Sequence, residues 1–214
     1  MEKLPDATPL AFCIIDDRAI FLDVDGDRYF SLPARLNRAF VDGLAHPDGL
    51  RDEDREHLIR LGILVEAARG LPAVQPRLCS PTQMIEPTDP RRMLFLAAIT
   101  QSRMRFRVRY WRFARIIRTE RHRRRTEQPP AGTLEPARLY ASFCALAAWF
   151  GEEDQCLARA LAYRMIAMKH GHEASLVIGV KLDPFAAHCW VQNGDSLLND
   201  RLERVRLFTP ILVC

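Results

Sequence analysis

No stretch of the 214-residue chain comes near the ~18 consecutive apolar residues that a membrane-spanning helix requires. There is no Cys-x-x-Cys, and the six cysteines show no paired spacing, so neither a disulfide framework nor a zinc ribbon is encoded. No glycine loop of the phosphate-cradling kind is present, which removes ATP chemistry from what this chain is expected to do by itself. The opening Met1–Asp6 has neither the charged start nor the apolar core of a signal peptide. These absences give the expectation of a soluble protein in the cytoplasm, where reducing conditions keep a free thiol available.

What is present divides the chain. Hydrophobic residues make up 48% of it, enough for a real core, and the length fits one large or two small domains. In the first part, Leu10–Ile15 and Ala19–Val24 read as strands around Asp16-Asp17, and a turn at Asp25-Gly26-Asp27 leads to a third, Arg28–Leu32. Pro33 opens a helix through Leu36, Phe40 and Leu44. A second runs from Asp52 to Leu61 and stops at Gly62, with Ile63-Leu64-Val65 expected as a short closing strand. Three strands followed by helices predict a small winged-helix-like module. Leu71–Pro90 carries five prolines and reads as a linker.

The middle of the chain is basic. Eleven arginines between positions 103 and 125 against one acid, Glu120, give that segment +10, where the whole chain carries +4. Met93–Ile99 continued through Phe106, Tyr110, Phe113 and Ile117 has helical spacing, and the arginines fall on the other faces. Clustered Arg with interleaved aromatics is compatible with nucleic acid, with a solvated helix face, or with a docking surface for an acidic peptide or a partner enzyme. No base-reading motif accompanies it, which weighs against nucleic acid. Leu134–Phe150 predicts another helix, its stripe formed by Leu139, Phe143, Leu146 and Phe150.

The chemistry lies in the last third. From Cys156 to Lys169 the pattern is helical, with Leu157, Ala160, Leu161 and Met165 inward and Arg159 and Lys169 toward solvent. The acids Glu152, Glu153 and Asp154 precede it and Gly171 suits its end. Cys156 therefore sits at a helix N-terminus, where unpaired N–H groups and the dipole favour a thiolate. Ala174–Leu182, Ala186–Gln192 and Ser196–Asp200 read as strands, the last two joined by a turn at Asn193-Gly194-Asp195. Cys156, His188 and Asp200 thus stand at the edges of three different elements, as a cysteine nucleophile, its base and the base's orienter would. A two-residue Asn193-Gly194 turn would put His188 opposite Asn199. A three-residue loop centred on Gly194 would put His188 opposite Asp200, so the latter is expected. Cys13, Cys79, Cys144, Cys189 and Cys214 read as core residues. His170 and His172 read as a surface turn, since no third metal ligand is evident.

The runs Cys156-Leu157-Ala158-Arg159-Ala160-Leu161, Leu176–Val180, Asp183–Val191 and Asn199-Asp200 resemble the transglutaminase-like cysteine peptidases, and more narrowly the lasso-peptide B proteins, which remove the leader of a ribosomally made precursor. Cys189 departs from the small residue that family usually has between His and Trp, a departure expected to leave the triad untouched. The first module, chiefly Asp27–Pro33, resembles the precursor-recognition element that members carry ahead of the peptidase.

The resemblance implies an α+β chain: a winged-helix-like leader-recognition domain (1–70), a linker (71–90) and a transglutaminase/papain-like peptidase domain (91–214). Cys156, His188 and Asp200 would be catalytic. Arg28, Tyr29, Phe30 and Leu61, with Leu58, would line the leader site on the third strand's edge. No metal or cofactor is implied in this chain. The partners would be the lasso precursor and an asparagine-synthetase-like cyclase that consumes ATP. The backbone N–H of Cys156 would be one oxyanion donor, with Gln155 or Trp149 as candidates for a second. A transglutaminase-like acyl transferase and a non-catalytic peptide- or nucleic-acid-binding adaptor remain as alternatives.

Overall fold

The computed structural model describes residues 10–46, 49–64, 80–90, 93–126, 135–150 and 155–214, without the side chains of 124–126 and 148–150. The chain divides into two compact units, Met1–Arg77 and Leu78–Cys214.

The first unit begins with a hairpin of β1 (Leu10–Ile15) and β2 (Arg18–Asp23). Ile15 pairs with Arg18, so the loop is the two residues Asp16 and Asp17, both at positive φ (48° and 60°). A tight hairpin loop of this kind needs that backbone at both positions, and short polar side chains tolerate it. The Asp23 carboxylate accepts the Gly26 N–H at 2.8 Å and pairs with Arg28 at 3.1 Å, which turns the chain into β3 (Arg28–Ser31). The sheet order is β1-β2-β3, all antiparallel, so among the described residues one side of β3 has no strand beside it.

Two helices complete the unit, α1 (Ala34–Ala45), directly after Pro33, and α2 (Asp52–Arg60). The Asn37 amide clamps α1 to the first hairpin, accepting the Ala19 N–H at 2.8 Å and donating to the Asp17 carbonyl at 2.7 Å. Three acids in the first turn of α2 match its dipole. The core packs Phe12, Phe21 and Phe40 ring against ring with Leu36 and Leu58. Ile63 and Leu64 form no strand: both N–H groups return to the Leu58 carbonyl after Gly62 turns at φ 70°, and both side chains are buried. Val65 and the first part of the expected linker, 71–79, lie outside the described residues.

In the second unit the expected linker is partly a strand. β4 (Gln83–Met84) joins a five-stranded sheet at its edge. Four helices follow: α3 (Leu94–Tyr110), α4 (Phe113–Thr126), α5 (Pro136–Phe150) and α6 (Cys156–Lys169). Then come β5 (Ser175–Lys181), β6 (Ala186–Asn193), β7 (Ser196–Leu197), α7 (Leu202–Val205) and β8 (Thr209–Val213). The sheet order is β4-β7-β6-β5-β8. α6 lies among α3, α5 and the sheet and is buried almost all round, including Ala160, Leu161, Tyr163 and Arg164. Gly171, at φ 85°, ends it. On the sheet, Trp190 packs with Val177, Leu197 and Val205, and Phe208 closes against them.

The apolar stripe expected on α3 faces the other way. Its buried positions are Ala97, Thr100, Gln101, Met104 and Arg107, a helical spacing, while Phe95, Ile99, Phe106 and Tyr110 are exposed. A buried acid explains the reversal. Glu120 of α4 is bonded to Arg164 of α6, with Arg107 at 3.6 Å and Arg123 at 3.4 Å. Arg164 also donates to the Ala174 carbonyl at 2.8 Å. Arg107 and Arg115 both lie over the Trp111 ring, at 4.4 and 4.2 Å. Part of the basic segment therefore works inside the unit. Among the described residues, no helix is long and apolar enough to cross a membrane.

Candidate active site

Cys156 is the first residue of α6, half-buried, with Gln155 at the N-cap position. The acids expected to precede it lie outside the described residues, as does the Trp149 side chain. α6 packs against β6, and this brings the thiol to the strand that carries His188. The backbone there has a spare edge. Val191 takes the Asn199 side-chain oxygen on its N–H at 2.7 Å and accepts the Leu198 N–H at 2.9 Å, so odd-numbered residues of β6 point their peptide groups toward β7. Among the described residues, β7 pairs with β6 at Gln192 and Asn193 alone. The Cys189 N–H, two residues before Val191, is left to the space beside the ladder, and it donates to the Cys156 sulfur.

Asp200 reaches His188 by a different route from the one expected. Asn193 pairs with Ser196, so the loop is the two residues Gly194 and Asp195, with Gly194 at φ 57°. Continued as a ladder, that register would not set Asp200 opposite His188. The strand instead ends at Leu197, and the chain bends at Asn199-Asp200. Asn199 is buried, and its bond to Val191 pins the bend to β6. The bend swings Asp200 to the ring: His188 Nε2 donates to Asp200 Oδ2 at 2.6 Å, and the Arg201 N–H donates to Oδ1 at 2.8 Å. The His188 side chain retains 12% exposure and that of Asp200 11%. Phe208 lies 5.1 Å from the ring of His188, and Trp190 6.3 Å.

With Nε2 taken by Asp200, Nδ1 is the ring nitrogen left for Cys156, whose side chain hydrogen-bonds to His188. The electrostatics follow from these contacts. The Cys189 S–H, the His188 ring beside the sulfur and the Cys189 N–H bring the Cys156 thiol down to about 4, against the opposing effect of burial. Burial alone would depress His188, but the bond to Asp200 and the contact with Cys156 raise it to about 9. Asp200 is held below its ordinary range by His188, although burial pushes the other way. At neutral pH the site is a thiolate beside an imidazolium that a carboxylate orients. That set can attack a carbonyl, protonate a leaving group and return to its starting state.

Cys189 corrects the sequence reading, which had it as a core residue of no consequence to the triad. It is buried, but its side chain contacts Cys156, and donation to that sulfur holds its own thiol well above the ordinary value. The signal was in the sequence, since it adjoins His188 on a strand facing the Cys156 helix. Of the other cysteines, burial pushes Cys13 up to about 12, Cys214 is buried, and Cys144 lies 4.0 Å from Arg159 Nη2. That contact corrects Arg159, expected toward solvent. Cys79 lies outside the described residues. His170 and His172 sit at the end of α6, and among the described residues no three His, Cys, Asp or Glu side chains group as metal ligands do.

The residues expected to hold a peptide leader lie in the first unit and divide. Arg28 is exposed, paired with Asp23 and 5.8 Å from the Phe30 ring. Tyr29 and Phe30 are half-buried, Phe30 stacking on Phe21 at 5.2 Å. Leu61 is exposed at 42%. Leu58 is fully buried in the core and cannot line a groove. A concavity of about 880 Å³ lies at the end of β3, lined by Ser31, Leu32, Asn37, Arg38 and Val41 among others.

Residues 101–213, over half of the chain, match the family model described as the transglutaminase-like superfamily, a span that holds Cys156, His188 and Asp200. No curated protein and no solved structure matches.

Proposed function

The chain belongs to the transglutaminase-like superfamily, and from that premise we propose that it is a cysteine peptidase that cuts the leader from a ribosomally made precursor, as lasso-peptide B proteins do. One observation carries the chemistry: the Cys156 thiol, the His188 ring and the Asp200 carboxylate stand in a single hydrogen-bonded line. The thiolate attacks the carbonyl carbon of the leader–core bond. The developing oxyanion takes the backbone N–H of Cys156 at the head of α6. Gln155, whose side-chain oxygen is buried without a partner among the described residues, can turn its amide N–H₂ toward the oxyanion as the second donor. His188 passes its proton to the departing core amine, leaving a thioester on Cys156. His188 then takes a proton from water, which attacks the thioester and releases the leader acid and the thiolate. Asp200 keeps the ring turned so that Nδ1 faces sulfur throughout.

The substrate is selected elsewhere on the chain. The side of β3 that has no strand beside it among the described residues takes the leader as an added strand, with Arg28, Tyr29, Phe30 and Leu61 reading its side chains. The core released at Cys156 passes to an asparagine-synthetase-like cyclase, which supplies any ATP requirement. No cofactor or metal is needed in the cycle written above, and the protein works in the cytoplasm.

Incubation of the full chain with a lasso precursor, read by mass spectrometry, tests this. Expected products are the intact leader acid and the free core amine. Cys156→Ala should lose cleavage and keep leader affinity. Cleavage by Cys156→Ala at the wild-type rate would overturn the assignment. The superfamily also contains acyl transferases, in which an amine takes the place of water at the same thioester. Incubation with a primary amine separates the two: an amide of the leader marks transfer, the free acid marks hydrolysis.

A further inference from the structure

We infer that Cys156 and Cys189 form a redox-modification site, in which Cys189 captures an oxidised Cys156 as a reversible disulfide. The pair is set up by the fold. Cys156 heads α6, Cys189 lies on β6 against it, and the two side chains are in hydrogen-bond contact. The Cys189 N–H is also directed at the same sulfur, so the two residues are held together by backbone as well as side chain. Chemistry separates their roles. Cys156 is only partly buried, at a helix N-terminus and beside a ring that favours its thiolate, which makes it the sulfur an oxidant reaches first. Cys189 is buried and kept as a thiol, so it is protected until its neighbour changes.

The steps balance with a hydroperoxide as the oxidant. The Cys156 thiolate attacks one peroxide oxygen, the O–O bond breaks, and protonation gives Cys156 sulfenic acid and one water or alcohol. The Cys189 sulfur then attacks the Cys156 sulfur. The S–O bond breaks, and the departing hydroxide takes the Cys189 proton and leaves as water. The product is a disulfide, and a dithiol reductant returns both thiols. Without a second thiol in reach, the sulfenic acid is open to further oxidation to sulfinic acid, which such reductants do not reverse. Cys214 lies close enough to Cys189 to influence it electrostatically, and so is the competing partner the experiment must separate. The meaning of the disulfide as an off-state rests on the nucleophile reading above; its formation does not.

The experiment treats the full chain with a small excess of hydrogen peroxide near neutral pH and reads intact mass, non-reducing peptide maps and iodoacetamide labelling. No substrate is involved, so failure of the peptidase reading leaves the result intact. The expected outcome is a loss of about 2 Da, a cross-link between the Cys156 and Cys189 peptides, and loss of Cys156 labelling that dithiothreitol restores almost completely. In Cys189→Ala, and in the better-fitting Cys189→Ser, Cys156 instead gains about 32 Da and reductant restores under about a tenth of the labelling. Cys214→Ala should still form the cross-link. Sulfinic acid at Cys156 accumulating in the wild type as fast as in the Cys189 variants would overturn the inference, as would a cross-link joining Cys189 to Cys214.

Discussion

The His188 ring is held between an acid on Nε2 and a sulfur on the side of Nδ1, and both favour its proton. The sulfur in turn is held as a thiolate. The reactive ion pair therefore forms as pH rises through about 4, where Cys156 loses its proton, and is lost as pH rises through about 9, where His188 loses its own. Cleavage, or alkylation of Cys156 if no substrate is at hand, should follow a bell with those limbs. A single acidic limb near the ordinary histidine value of 6.5 would contradict the ion pair. Asn199 supplies a second test at this scale. Its bond to the Val191 N–H places the bend that delivers Asp200. Asn199→Ala should cost about 1–3 kcal/mol in a urea titration, since it leaves a buried donor unpaired. A purely structural role would stop there. A positioning role also moves the basic limb of the profile down toward 6.5, as the carboxylate loosens from the ring. The sequence sets Cys156, His188 and Asp200 each at a recognisable edge, a helix head, a strand and a turn, and the structure brings the three side chains into contact. Asn199 was not legible in the sequence, because its part depends on where a ladder stops; for Cys189 the adjacency to His188 was readable, but not which way its peptide group points.

At the scale of elements, Gly179 decides whether the sheet can hold the site. It pairs directly with His188 across β5 and β6, where β5 also shifts register against β8. A Cβ there would stand 2.6 Å from two ring carbons of Trp190 and 3.0 Å from the Cβ of Phe208. Trp190 cannot easily give way, because its ring N–H donates to Gln192 at 2.7 Å. Phe208 lies against His188, so displacement reaches the reacting ring. Gly179→Ala should cost about 1–3 kcal/mol by overpacking. In the Trp190→Phe background, where the smaller ring leaves room, the same methyl should cost less, and chemical denaturation of the four variants measures the difference. Elements with a strong period were readable from sequence, including β1 to β3, α1, α2, α5, α6, β5 and β6. α7 and β8 went unread, since four helical residues have little periodicity and β8 draws its identity from the open edge of β5. The α3 stripe misled for a physical reason: a buried Glu120 takes arginines inward, and period alone gives no weight to an ion pair.

At the scale of the whole molecule, the candidate leader site and the thiol fall in different units of the chain. The boundary between the units, at Arg77 and Leu78, falls within the proline-rich stretch, and Gln83 and Met84 of that stretch belong to the second sheet, where they pair with β7 through backbone bonds that have no side-chain signature. If the leader is held on β3, the scissile bond reaches Cys156 as a tethered group, at an effective concentration of about the millimolar range for a short flexible connection. A peptide spanning only the cleavage junction should then be cut at a similar maximal rate with a KM higher by about two orders of magnitude. Adding the leader as a separate peptide should not restore it, because binding without a covalent connection confers no proximity. With the intact precursor, excess free leader should inhibit by raising KM and leave kcat unchanged. If free leader rescues the junction peptide, the first unit acts on the active site by switching its conformation, and tethering is the wrong account. Lengthening the precursor between leader and junction separates them further: tethering predicts a slow decline in kcat/KM, roughly as the −3/2 power of the inserted length once the span is exceeded, whereas a switch predicts none.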